Sequence, residues 1–311
     1  MIRALLITSI TLCFVGCSTH RSADPTNLLG GSDPWLTTAG SEHPLVGRIW
    51  LVGAGRFGSW AELTERAAAA PYLLLGEQHD HPDHHRIQAA LVAVRPRHTP
   101  VRFEMLDEDD QPAQETPTAF AASVAWEHSR WPSFALYEPL VAASLAAGHV
   151  LLPASPSRAR VRDTMMSGLQ TLPAEERATL GLDRPLPATH AAALASEIEA
   201  AHCGHANAQL VEMMTAGQRL KDAWMARELL KAPVGVLVAG GGHARTDRGV
   251  GAHLPSGRAL AVLPVAVQDE ARRPQDYDAT GYDVLVFTPR LDDLDPCETF
   301  REQLKNLGPA Q

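Results

Sequence analysis

The stretch Pro71–Gln88, PYLLLGEQHDHPDHHRIQ, decides the fold. Tyr72 to Leu75 is an apolar run bounded by turn signals, the pattern of a central strand in a parallel sheet covered on both faces. It runs straight into Gly76, Glu77 and four histidines, His79, His81, His84 and His85. That is more titratable chemistry than a connecting loop requires. Pro82 suits the first turn of a helix and Asp80 the position before it. Residues 83–94 therefore read as helical, with Ile87, Ala90, Leu91 and Val94 turned to the core. On that helix His81 shares a face with His85, and His84 with Gln88, so His85 and Gln88 can flank a site at the helix N-terminus, where backbone donors favour an anion.

Two later segments repeat the arrangement. Pro100–Leu106 (PVRFEML) is a short strand with Glu104 near its end, and Val234–Arg245 (VGVLVAGGGHAR) is an apolar strand ending in three glycines and His243. Ligands of open α/β sheets bind outside the carboxyl ends of the strands. If these three strands are neighbours, Glu77, His79, Glu104 and His243 converge there.

The 311 residues, 45% of them hydrophobic, suffice for one large domain or one domain with a subdomain. A net charge of −9 argues against a nucleic-acid partner, which requires a basic face. The first residues read as a leader: Arg3 is the basic segment, Ala4 to Val15 an apolar segment too short to span a bilayer, and Phe14-Val15-Gly16-Cys17 resembles a bacterial lipobox. On this reading 1–16 is a signal peptide and Cys17 the lipid-bearing first residue of an exported protein; an ordinary cleaved leader is the alternative. Residues 17–45, rich in Ser, Thr, Pro, Gly and Asp, read as a flexible tether. Of the remaining cysteines, Cys203 and Cys297 form the pair expected to be bridged in an oxidising compartment. A metal site at His202-Cys203-Gly204-His205 is the competing reading.

After a strand at Arg48–Val52, Gly53-Ala54-Gly55-Arg56-Phe57-Gly58 matches a dinucleotide-binding fingerprint, but the helix cap at Ser59 falls after the last glycine. A glycine-rich turn is the better reading. Residues 157–231 are mainly helical, and the last helix there carries Leu210, Met213, Met214, Gly217, Leu220 and Trp224 at helical spacing, either as core or as the wall of an apolar ligand pocket. Strands at Arg258–Val267 and Asp283–Phe287 complete the sheet. The expected fold is α/β, a mostly parallel central sheet with flanking helices (about 46–156 and 232–295) and an inserted α-helical subdomain (about 157–231), with a cleft between them.

At LLGEQHDHPDHHRIQ, and again at FEM around Glu104, PSRARVRDTMMSGLQTLP after Pro156, AGQRLKDAWMA at Ala216–Ala226 and VAGGGHARTDRGVGAHL from Val238, the chain resembles the ChaN family of iron-regulated, haem-binding lipoproteins in the Tiki superfamily. The resemblance covers 46–311. It implies an outer-membrane lipid anchor facing the periplasm and haem held in an apolar cleft for haem and iron uptake, with a homodimer able to share it. The superfamily's two Gly-x-x-His motifs are matched by Gly76 to His79 and Gly240 to His243, with Glu77 and Glu104 as the acidic partners. In peptidases resembling Tiki such groups bind a divalent metal. The family's tyrosine ligation of the haem iron has no counterpart here in a matching motif, since Tyr72, Tyr137, Tyr277 and Tyr282 all fall outside one.

Three readings follow. For haem, His79, His85, Gln88, Met213, Met214 and His243 would supply donors and an apolar wall, and Arg102, Arg158 or Arg245 the cations for its propionates. For a metal-dependent hydrolase, Glu77, His79, Glu104 and His243 would hold a divalent ion, with Glu77 alternatively kept free as catalytic base. The third reading is a buried polar network that secures the strand ends.

Overall fold

In chain order the elements are β1 (Ile49–Leu51), β2 (Arg56–Gly58), α1 (Trp60–Ala69), β3 (Tyr72–Leu75), α2 (Pro82–Ala93), β4 (Pro100–Asp107), α3 (Pro117–Ser123), α4 (Phe134–Ala146), β5 (Val150–Ser155), α5 (Arg158–Ser167), α6 (Ala174–Thr179), α7 (Ala188–Ala201), α8 (Ala208–Leu229), β6 (Gly235–Val238), β7 (Ala259–Ala266) and β8 (Val284–Thr288). The computed structural model describes residues 34–295 together with 297, 298 and 301. The expected leader, and Cys17 with it, lies outside the described residues.

The strands form a single sheet in the order β2-β1-β8-β7-β3-β6-β4-β5. From β8 to β5 every pairing is parallel, and only β1 runs antiparallel to its neighbours. This is the α/β fold with a mostly parallel sheet read from the sequence. Leu73, Leu74 and Leu75 of β3 are fully inaccessible, which is what helices on both faces of a parallel sheet impose. Helices α5 to α8 lie between β5 and β6 and carry two small apolar clusters of their own, one around Leu172, Leu180, Leu182, Leu220 and Trp224, the other around Leu194, Ile198 and Val211. Cys203 and Cys297 are disulfide-bonded, with Cα atoms 5.5 Å apart, so Cys203 is not a metal ligand. No helix among the described residues is long and apolar enough to cross a membrane.

Two local expectations are corrected. The stretch Gly53–Gly58 is not only a turn: its second half is β2, folded back on β1, with Gly55 supplying the positive φ of 61° that the reversal needs. A Cβ at Gly53 or Gly55 would meet nothing within 4 Å, so no close backbone approach demands glycine there, and α1 begins only after the hairpin. On α2 the core-facing apolar residues are Ile87, Ala89, Leu91 and Val92, whereas Ala90 is half-buried and Val94 is the exposed C-cap. The buried face is rotated because His84, His85 and Gln88 turn inward to hydrogen-bond partners.

Ser59 caps α1, its Oγ accepting from the Glu62 backbone N–H at 3.1 Å, while the Glu62 carboxylate pairs with Arg56 instead of reaching back to the cap. Ser59→Ala is expected to cost about 1 kcal/mol. Chemical denaturation measures it, and an unchanged midpoint would mean that packing alone fixes the start of α1.

Candidate functional site

The parallel register sets three strand ends side by side. Leu75 of β3 and Phe103 of β4 both pair with Val238 of β6, so Glu77, Glu104 and Gly240 follow within two residues of one another's level. Gly240 is closely approached: a Cβ there would stand 3.0 Å from His79 Nε2, which would have to shift by a few tenths of an ångström, and 3.6 Å from Glu104 Oε2. The convergence read from the sequence is therefore present, in two adjoining polar groups.

The first is built on Glu77. Its Oε1 accepts from Tyr137 Oη and lies 2.7 Å from His79 Nδ1, and its Oε2 accepts from Gln88 Nε2 at 2.8 Å. The Gln88 amide also donates to the Leu75 and Gly76 carbonyls, which fixes its orientation and turns its oxygen to His85 Nδ1. The other nitrogen of His85 faces the His79 carbonyl at 3.0 Å. Both nitrogens of His85 thus face acceptors, the arrangement of an imidazolium. Its pKa is correspondingly raised: burial pulls it down, but the hydrogen bond and charge of Glu77 outweigh that. For Glu77, burial by itself pushes the carboxyl up, and the hydrogen bonds from His79 and His85 overcome it and hold the group well below the usual carboxylate range. Burial and the charge of Glu77 push the Tyr137 phenol far up, so it stays a neutral donor. The Nδ1 edge of His79 is held against the Glu77 carboxylate, which accepts from that nitrogen and leaves the Nε2 edge turned away from it. The His79 ring packs edge-on to Trp131 at 4.8 Å and keeps 32% of its side-chain surface exposed.

The second group is built on Glu104. It accepts from the Gly240 N–H at 2.8 Å, pairs with Lys221, and lies 3.2 Å from His243 Nε2. His243 Nδ1 is 2.6 Å from Asp222, with the Gln218 amide 2.9 Å from the same nitrogen. Burial lowers the His243 pKa, but Glu104 and then Asp222 bring it up to about 9 against the pull of Lys221. Burial pushes Glu104 up as well, yet His243 and Lys221 hold it well below its ordinary range. Asp222 is displaced upward by burial, so of the two carboxylates on this imidazolium it is the one that takes a proton first.

Glu77, His79, His85, Gln88, Glu104 and His243 thus lie together, with both nitrogens of His243 engaged. Among the described residues no group of three or more His, Cys, Asp or Glu side chains is arranged to hold a metal ion. The carboxylates meant for that role are occupied by Tyr137, Gln88, Lys221 and the Gly240 N–H, so the hydrolase reading gains nothing. His81 and His84 stand apart. Their rings stack at 3.9 Å and their Nε2 atoms reach Pro289 O and Thr288 Oγ1. As the N-cap, His81 has non-helical backbone angles, so the shared face with His85 does not arise.

A cleft of about 390 Å³ opens against Glu104 and Lys221, walled by Trp131, Pro156, Val161, Met165, Met166 and Met213, with Arg130, Arg158 and Arg162 on its sides. Arg158, which pairs with Asp107, and Met213 line this cleft. Met214 does not; it packs on Leu194, Ile198 and Val211 in the helical block. Arg245 is buried in ion pairs with Asp247 and Asp278 and does not line this cleft, and Arg102 pairs with Glu228. Sequence reasoning passed over Tyr137, Trp131, Lys221 and Asp222. For α8 a signal existed: Gln218, Lys221 and Asp222 are spaced i, i+3, i+4, a polar stripe along one face of the helix. Tyr137 and Trp131 carry no such mark.

The family model for haem-binding uptake proteins, ChaN, of the Tiki superfamily matches residues 63–254. Among solved structures, ChaN of Campylobacter jejuni, described with cofacial haem binding, aligns with a TM-score of 0.62 at 19% identity, covering 76% of this chain and 95% of that one. The type III effector HopBA1 aligns at a TM-score of 0.42 and 12% identity, over 73% of this chain and 91% of that one. No curated protein matches significantly. The likeness to the Campylobacter protein concerns the fold, whereas the family match takes in both polar groups and most of the cleft wall. The chain belongs to the ChaN family of haem-binding uptake proteins within the Tiki superfamily.

Proposed function

We propose that this chain binds haem in the cleft beside Trp131, with His79 Nε2 as the iron's donor and Arg130, Arg158 and Arg162 meeting the propionates. One observation carries the reading: an imidazole oriented by a buried carboxylate packs on Trp131, which is itself a wall of an apolar slot flanked by cations. Haem supplies an iron that takes an imidazole axial ligand, and a carboxylate on the far nitrogen of that ligand fixes its tautomer and raises its basicity. Tyr137 is fully buried beneath Glu77 and has no free approach to a ligand, so it supports His79 rather than replacing it.

The cleft's volume lies near the lower end of ligand pockets, so one face of a flat macrocycle packs on the methionines while the other stays open. Met166, 68% exposed at the rim, is where a second copy of the chain would close over it. In keeping with the family's uptake role, the protein is proposed to be exported and anchored through Cys17 to the outer membrane, facing the periplasm; the Cys203–Cys297 bridge supports an oxidising compartment. A Cys17→Ser form that still takes up labelled lipid would remove the anchor.

Hemin titration tests the cleft. The chain is expected to give a saturable Soret shift that His79→Ala loses and His243→Ala retains. Glu77→Gln is expected to weaken binding about 10–100-fold, the usual cost of losing a group that orients an axial histidine. A wild-type chain with no saturable shift sinks the proposal. An unaltered spectrum in His79→Ala moves the iron elsewhere.

A further inference from the structure

Away from the haem cleft, a cavity of about 930 Å³ lies where the loop from α6 to α7 and the outer face of α8 meet the segment after His243. Arg184, Arg219, Arg227, Arg248, His190 and His253 line it. In a chain of net charge −9 such a concentration of cations is out of character. The acids on the same wall do not offset it: Asp183 is taken by Arg177, and Asp247 by Arg245 and Arg248.

The four arginines divide into two kinds. Arg248 is neutralised by Asp247 and Glu197, and Arg227 pairs with Glu228 while stacking 3.5 Å over the Trp224 ring. Arg219 and Arg184 have no carboxylate within ion-pair distance among the described residues. Arg219 donates only to the backbone carbonyls of Leu182 and Arg184, and burial pulls its pKa down. Arg219 is half-buried, and a cation partly withdrawn from water without a counter-charge is costly; Arg184 is exposed and sets a second, solvated guanidinium on the same wall. Among the described residues two buried donors of the lining, Arg248 Nε and Arg227 Nε, have no hydrogen-bond partner, nor has Trp224 Nε1 behind Arg227. Burial holds His253 low, leaving a neutral imidazole that can donate to an oxyanion without adding charge.

We infer that this cavity binds a small organic or inorganic dianion whose two oxyanion groups, carboxylate or phosphate, engage Arg219 and Arg184. The planar guanidinium fork matches either group bidentately, and two uncompensated arginines set a ligand of at least two charges. The site is independent of the haem reading, since it shares no lining residue with the cleft beside Trp131.

Isothermal titration of the purified chain with citrate and, separately, pyrophosphate tests it. The expected result is saturable binding of at least one probe, and the tighter of the two assigns the ligand as carboxylate or phosphate. Arg219→Gln and the exposed Arg184→Gln are each expected to weaken that binding about 10–100-fold, the value of a charge-assisted hydrogen bond. Hemin binding should be the same in all three proteins, which separates this site's failure from the cleft's. Absence of saturable binding for both probes, or binding unchanged by both substitutions, overturns the assignment. Arg184 lies on an exposed loop, so its variant keeps the test decisive even if Arg219→Gln does not fold.

Discussion

Glu104→Ala is expected to destabilise the fold by about 3–5 kcal/mol, the cost of stripping the counter-charge from a buried ion pair. Glu104 is 2% exposed and faces Lys221, the His243 imidazolium and the Gly240 N–H together. Removing the carboxylate leaves the buried Gly240 N–H and the part-exposed Lys221 without an acceptor, and leaves the His243 imidazolium with Asp222 alone. Two relaxations limit the loss: Lys221, whose side chain is 20% exposed, can swing toward water, and His243 can give up its proton. Neither restores the acceptor for Gly240, so the lower half of the range is a floor set by that N–H and the cavity. Glu104→Gln keeps an oxygen in place and is expected to cost roughly half as much, because the unsatisfied-donor penalty of about 1–3 kcal/mol is avoided. Urea unfolding of the three proteins at neutral pH reads these differences. Equal stability of wild type and Glu104→Ala would show that the strand ends are held by packing alone, and the ion-pair account of this group would fall.

The strand ends were legible in the sequence because they combine two signals that seldom coincide: a short, mostly apolar run and a titratable residue near its end or a few residues beyond it. That combination located β3, β4 and β6 and gave Glu77, Glu104 and His243 as one group, since a parallel sheet aligns strand ends by construction. What the sequence withheld was the division of labour among the histidines. HDHPDHH looks like one cluster, yet the turn before α2 sends His79 between Glu77 and Trp131, His85 under Glu77, and His81 and His84 toward β8. Spacing arguments hold only where the backbone is helical, and His79 to His81 lie before the helix begins. Arg245 misled for a related reason. Its neighbour His243 is in the site, but the chain turns tightly after Gly241, and two residues further on the side chain faces Asp247 and Asp278 instead. Tyr137 and Trp131 were unreadable because their relevance depends on α4 and the loop before it packing against α2, a long-range contact with no local sequence mark.

Stability should fall by about 3 kcal/mol as the pH rises from near 6.5 past about 9, and His243 is the principal cause. Glu104 and Asp222 raise its pKa from 6.5 in the unfolded chain to about 9 in the folded one, so the folded state binds a proton that the unfolded state releases across that window. A raised base contributes its full stabilisation below the unfolded pKa and loses it as the pH climbs through the folded pKa; each tenfold difference in proton affinity is worth about 1.4 kcal/mol. His85, raised by Glu77, acts in the same direction. The acid side is governed by different groups with the opposite sign. Glu77 and Glu104, both depressed, contribute fully above 4.5 and lose that contribution as the pH falls through their folded pKa values. His43, His81, His84, His149 and His253, all lowered by burial, favour the unfolded state once the pH drops below 6.5. They are neutral in both states above it, so they leave the alkaline limb to His243 and His85. Denaturant unfolding between neutral pH and about pH 9.5 measures the slope, and His243→Gln separates the two contributors: the variant should be less stable than wild type at pH 6.5 and converge toward it at the alkaline end. If the two curves instead run parallel, with the same slope across the window, His243 is not the group that titrates, and the imidazolium between Glu104 and Asp222 is wrongly assigned.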